Sequence, residues 1–220
     1  LFYIRMLHSA HLSADIRLPV PSWTFRADRL LLLLYFQLSY SIPFCGDLVK
    51  NFSEITTKEE LSELAYKLWK ASSDEYKDKL SSFQEQIKSL YGEAMKYRRI
   101  HCAIAGEIAI KIYLKKQQGL KGGEENELND ELKLLYFATL IHDIKKFDKK
   151  HSKIGAKWIN INLKKYINIK EGELEEICNL VRYHKGSINE YNNELLEILQ
   201  TSDEESKKFE KDFFKRVSII

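Results

Sequence analysis

Proline is scarce in this chain, three residues in 220, so little in the sequence interrupts a helix. Cysteine is scarce as well. Cys45, Cys102 and Cys178 are odd in number and far apart, with neither a disulfide framework nor a zinc spacing among them. That usage points to a reducing, cytoplasmic setting. Long apolar runs are also missing. The stretch from Leu30 to Phe36 is far too short to span a bilayer, and no membrane partner is expected. It lies too deep in the chain for a conventional secretion signal. No segment alternates apolar and polar residues in the way a half-buried strand requires. The short alternation from Trp158 to Ile169 reads better as helix and connection. Charge of one sign is not in large excess either. The net +3 does not by itself announce a nucleic-acid binder.

What is present favours helices. Hydrophobic residues make up 44% of the chain and charged residues 30%, with Lys, Glu and Ile abundant. That is enough apolar material for one good-sized domain. Residues 1–29 read as an extension, in which Pro19, Pro21 and Trp23 mark an extended stretch and His8/His11 a surface pair. A helical domain is expected over 30–220, beginning with a buried helix from about Leu30 to Tyr40. Thr57-Lys58-Glu59-Glu60 is a capping box that opens a helix with Leu61, Leu64, Ala65, Leu68 and Trp69 on one face. Ser72-Ser73-Asp74-Glu75 reads as a second box, opening another helix through Tyr76, Leu80, Phe83, Ile87 and Leu90. A further helix is predicted from about Glu93 to Gln118, with Ile100/His101, Ile104, Ala105, Ile108 and Ile112 as its inner stripe. Ala103, Ala105 and Gly106 would let a neighbour pack closely against it. Residues 119–130 have loop composition, and Asn129 is a fair N-cap for the next helix, which carries His142 and Asp143. The fold class is all-α.

The chain is organised around Leu140-Ile141-His142-Asp143-Ile144-Lys145-Lys146. His142 continues the apolar stripe of Leu134, Ala138 and Ile141, and Asp143 lies at its edge. An inward carboxylate beside an imidazole is costly unless a cation compensates it. Other polar residues recur on inner faces: His101, His151 with Ile154, Gly155 and Trp158, His184 with Ile177 and Val181, and Asp203 with Leu195, Leu196 and Leu199. A lone imidazole on such a face is usually a core residue bonded to a carbonyl. Four imidazoles and two carboxylates together suit a first-row divalent ion. From Lys145 to Lys165 there are eight lysines against one acid, Asp148. Coming directly after the His–Asp pair, that run favours a phosphate-bearing substrate.

The order His101, His142-Asp143, His151, His184, Asp203 resembles the HD-domain metal-dependent phosphohydrolase superfamily. The likeness covers roughly residues 93–210, through His101-Cys-Ala-Ile-Ala, Leu140-Ile-His-Asp-Ile-Lys-Lys, His151-Ser-Lys-Ile-Gly-Ala and Leu199-Gln-Thr-Ser-Asp203. It implies a helical bundle around one or two divalent ions (manganese, nickel, magnesium or iron). His101, His142, Asp143 and Asp203 would ligate the first. Asp143 would bridge to a second held by His151 and His184. Asp143 would also orient the nucleophile, and Lys146 would contact the scissile phosphate. Two positions depart from the family pattern: Lys145 stands where Gly is usual, and Tyr183-His184 where several nucleases carry paired histidines.

Within the superfamily the chain is most similar to the stand-alone HD nuclease of type I CRISPR interference. That implies single-stranded DNA or RNA as substrate and a helicase or effector subunit as partner. Lys145, Lys149, Lys150, Lys153, Arg182 and Lys185 would then track the polynucleotide backbone, with Trp158, Tyr166 and Tyr183 as stacking candidates. Two alternatives are an HD-type hydrolase of a small nucleotide and a catalytically silent, metal-stabilised nucleic-acid-binding subunit.

Overall fold

A computed structural model describes residues 50–79, 85–118, 128–186, 191 and 193–217, all within the unit Asp47–Ile220. The expected helix at Leu30–Tyr40, the extension 1–29 and most of the expected loop at 119–130 lie outside these residues. Among the described residues there are six α-helices: α1 (Lys58–Lys79), α2 (Glu85–Gln118), α3 (Asp130–Ile141), α4 (His151–Asn162), α5 (Glu171–Tyr183) and α6 (Glu194–Val217). Short 3-10 turns occupy Phe52–Glu54 and Leu163–Lys165. The only β pairing among the described residues is a single parallel bridge between Asn51 and Asn168.

Helix α3 is the hub. Asn129 caps it, its Oδ1 accepting from the Leu132 amide at 2.8 Å. Leu132, Leu135, Tyr136, Phe137, Ala138, Leu140 and Ile141 are all buried, so the helix is apolar around most of its circumference. Such a helix is stable only when surrounded. It packs against α1, α2, α5 and α6. On α2 the approach is close: a Cβ at Gly106 would meet the Tyr136 ring at 2.9 Å. Gly106, one of the small residues singled out on α2, therefore faces the hub.

Two helix assignments made from sequence are corrected. Ser72–Glu75 opens no new helix, because α1 runs unbroken from Lys58 to Lys79. Ser72 is fully buried and its hydroxyl donates to the Ile144 carbonyl at 3.1 Å. A serine with a tertiary acceptor has no need to cap a helix end. On α2 the fully enclosed face carries His101, Cys102, Ala105, Ala109 and Tyr113. Ile104, Ile108 and Ile112 sit at its half-buried margin. The small side chains take the interior because α3 and α6 both crowd that face.

Trp69 ties α1 to the end of the hub, its Nε1 donating to the Leu140 carbonyl at 2.9 Å. Trp69→Phe keeps the packing but leaves that buried carbonyl unpaired. The unfolding free energy should fall by about 1–3 kcal/mol, read from the midpoint of a urea titration at unchanged slope.

Candidate metal centre

The His–Asp pair sits where the hub ends. His142 is the C-cap of α3, and the chain beyond it turns rather than continuing as helix. Backbone bonds from Ile144 to Ile141, Lys146 to Asp143 and Asp148 to Lys145 close successive tight turns at 2.8–3.0 Å. Helix α4 starts after Lys150, which adopts the left-handed conformation (φ 61°), so that His151 is its first residue. The turn, not a continuing helical stripe, aims Asp143 into the interior. Both His142 and Asp143 are completely buried.

Around Asp143 the other residues converge. His151 Nε2 lies 3.3 Å and His184 Nε2 3.5 Å from Asp143 Oδ1, and His142 Nε2 lies 3.9 Å from Oδ2. On the other side, His142 Nε2 is 3.5 Å and His101 Nε2 2.9 Å from Asp203 Oδ1. Among the described residues, two groups have all their ligand atoms within 4.8 Å of one another: His101, His142, Asp203 and His142, Asp143, His184. His142 belongs to both. His151 joins them through Asp143, its ring 5.4 Å from that of His184. All six residues singled out in the sequence thus meet in one place.

The tautomers are set by the backbone. His142 Nδ1 donates to the Thr139 carbonyl and His184 Nδ1 to the Val181 carbonyl, each at 2.7 Å. In their neutral forms these rings present a bare Nε2 lone pair to the interior. The Nε2 atoms of His142, His151 and His184 are buried with no hydrogen-bond partner among the described residues. Three orphaned imidazole nitrogens facing a buried carboxylate are a poor arrangement for the protein by itself. They fit a divalent cation.

The electrostatics keep the two carboxylates ionised and His184 neutral. Burial alone would push both carboxylates up, but the surrounding imidazoles, with Lys146 at Asp143 and Lys207 at Asp203, hold them well below the usual carboxylate range. Burial lowers His184 to about 4, keeping it neutral and able to ligate. Burial also disfavours the charged form of His101, yet hydrogen bonds to Asp203 and Glu210 overcome this and raise it to about 9.

Glu210 was missed in the sequence. Its Oε1 accepts from His101 Nδ1 at 2.7 Å and its Oε2 from Tyr97 Oη at 2.6 Å, while Ser206 Oγ stands 3.3 Å from the same His101 nitrogen. The available signal was periodicity: Ser206 and Glu210 come at i+3 and i+7 from Asp203 on one helix face. A carboxylate behind a ligand imidazole fixes its orientation and strengthens it as a donor.

The cations divide differently from expectation. Lys146 binds both oxygens of Asp143, at 3.0 and 2.7 Å. Lys145 does not face solvent or substrate, and its expected place on a nucleic-acid surface is corrected. It is 2% exposed, its Nζ 3.0 Å from Glu75 and stacked over the rings of Tyr76 and Trp158. A lysine buried this way anchors the turn to α1 and α4. Trp158 serves the same cage, its Nε1 donating to Glu75, and offers no stacking platform. Lys149, Lys150, Lys153, Arg182 and Lys185 are exposed. An open groove of about 350 Å³ is lined by Tyr97, Arg98, Lys146, Lys207, Glu210 and Lys211. Three of its cations, Arg98, Lys207 and Lys211, come from α2 and α6 and carried no signal in the sequence.

Comparison with known families matches residues 98–208, just over half of the chain, to the HD domain. No curated protein and no solved structure matches the chain.

The centre sets two expectations for cation binding, both read by titration of the full chain with Mn²⁺. Glu210→Gln should weaken affinity about 10–100-fold while helical content stays the same. Below about pH 9 His101 carries a proton that an arriving cation must displace. Affinity should therefore fall steadily as pH is lowered from 9 towards 6, with proton release on binding.

Proposed function

Because this chain belongs to the HD-domain family of metal-dependent phosphohydrolases, we propose that its centre cleaves phosphodiester bonds in single-stranded DNA or RNA. The observation that carries the proposal is the set of orphaned Nε2 atoms of His142, His151 and His184 around the buried Asp143. His101, His142, Asp143 and Asp203 would hold one divalent ion, and Asp143, His151 and His184 would hold a second. A divalent ion held by these residues would supply Lewis acidity for a phosphate oxygen and would lower the pKa of a bound water towards neutrality.

The chain's own residues do the rest. The Thr139 and Val181 carbonyls lock His142 and His184 in the tautomer that offers Nε2 inward. Asp143 is ionised and fixed, so it can accept a hydrogen bond from the attacking water and orient it. Lys146 lies at the same carboxylate and on the groove wall, placed to stabilise negative charge growing on the phosphate. Burial of His101, His142, Asp143 and Asp203 strengthens each of these interactions. The exposed Lys149, Lys150, Lys153, Arg182 and Lys185 would draw a polyanion towards the centre. The likeness to stand-alone HD nucleases of CRISPR interference extends the proposal to a helicase or effector subunit that delivers the single strand.

A small nucleotide as substrate is favoured by one observation: 350 Å³ is within the range of a pocket for a single small ligand. Parallel assays on oligonucleotides and mononucleotides with Mn²⁺, Ni²⁺, Fe²⁺ and Mg²⁺ decide between the readings. Oligonucleotide cleavage should fall steeply with added salt, whereas a mononucleotide would show a shallow dependence. His142→Ala should abolish cleavage in every metal with the far-ultraviolet circular dichroism unchanged. Retention of full activity by that variant would remove the centre from the reaction.

A further inference from the structure

Helices α2 and α6 run side by side in opposite senses, which two rungs establish. The inner rung joins His101 to Asp203, and the next joins Tyr97 to Glu210, one turn back along α2 and two turns forward along α6. The groove opens over this outer rung. Its walls carry four cations from three separate segments: Arg98 on α2, Lys146 in the His–Asp turn, and Lys207 and Lys211 on α6. The only acid among its lining residues is Glu210, and both of its oxygens are taken by His101 and Tyr97.

The four cations are not equivalent. Lys146 and Lys207 turn inward, to Asp143 and Asp203, and belong to the metal centre. Arg98 touches the centre only at long range, 3.8 Å from Asp143 Oδ2. Lys211 lies just over one helical turn beyond Lys207, about 6 Å further along α6, and has no carboxylate partner among the described residues. Positive charge therefore continues outward from the centre along the α2–α6 seam, past the point where the buried carboxylates need it. A site for one isolated phosphate has no use for that extension.

We propose that the α2–α6 groove is a second phosphate subsite, in which Arg98 and Lys211 receive the phosphate next to the scissile one. The substrate class this selects is a chain of consecutive phosphodiesters. A diester with a single phosphate engages the centre alone. The inference rests on the polynucleotide reading and makes it more specific: the strand leaves the centre along α2 and α6, instead of along the lysine run of the turn and α4.

The test uses the full chain and a short labelled single-stranded oligonucleotide, as DNA and as RNA, monitored by fluorescence anisotropy with a chelator present. Lys211→Glu should weaken binding about tenfold and lower the slope of log K against log salt by about 0.7 or more, the loss of one single-strand contact. Lys111→Glu, the same charge change at an exposed site elsewhere on α2, should leave both unchanged. With Mn²⁺ present, Lys211→Glu should also lower the ratio of kcat/KM for the oligonucleotide to that for bis(p-nitrophenyl) phosphate by about tenfold. Equal losses in Lys211→Glu and Lys111→Glu, no loss in either, or no binding by the unaltered protein would overturn the subsite. Lys211-dependent binding without cleavage in any metal would keep the subsite and remove the hydrolase reading. Cleavage indifferent to Lys211 would do the reverse.

Discussion

The charge on Asp143 is the constraint to which the rest of the molecule answers. A fully buried carboxylate in an apolar bundle is unfavourable by several kcal/mol unless it is compensated. Locally the sequence offers it only the neighbouring His142 and Lys146, three residues on. The remaining partners come from further along the chain, His184 from the end of α5 and His151 from the start of α4, while the adjacent His142 is shared with the Asp203 group on α6. Folding brings them together because α3 is apolar nearly all round and must be enclosed. Of the helices that enclose it, α2, α5 and α6 bring His101, His184 and Asp203.

The same constraint accounts for the polar groups just outside the centre. Each inner imidazole needs one nitrogen committed elsewhere if the other is to face inward. His142 and His184 use carbonyls three residues back, available because both rings sit at helix ends. His101 lies in the middle of α2, where the carbonyls are already paired, and uses the carboxylate of Glu210 instead. The difference in supporting partners reflects where in its helix each ligand stands.

Lys145 shows how a departure from a family pattern can be absorbed. Where glycine would leave space, the lysine stem fills it, and its ammonium is met by Glu75 with Tyr76 and Trp158 on its flanks. Those interactions draw α1 and α4 onto the turn that holds Asp143. A residue that looked like part of a basic surface is a structural anchor, and the basic groove is built by residues on other helices. Charge composition told of cations near the centre. It could not tell which of them point out.

From the sequence alone the all-helical class could be read, because helical spacing of apolar residues and the lack of strand alternation are local properties. Most of the inward residues could be read for the same reason, since His101, His184 and Asp203 follow apolar neighbours at helical spacing, whereas the inward aim of Asp143 comes from a turn. The unbroken α1, the rotated inner face of α2, the burial of Lys145 and the positions of Glu210, Arg98 and Lys211 were settled only in three dimensions. Each depends on what lies across a helix interface, such as the Ile144 carbonyl that claims Ser72 or the Glu75 carboxylate that claims Lys145. Periodicity reports which side of a helix is apolar. It carries no information about the partner that side will meet.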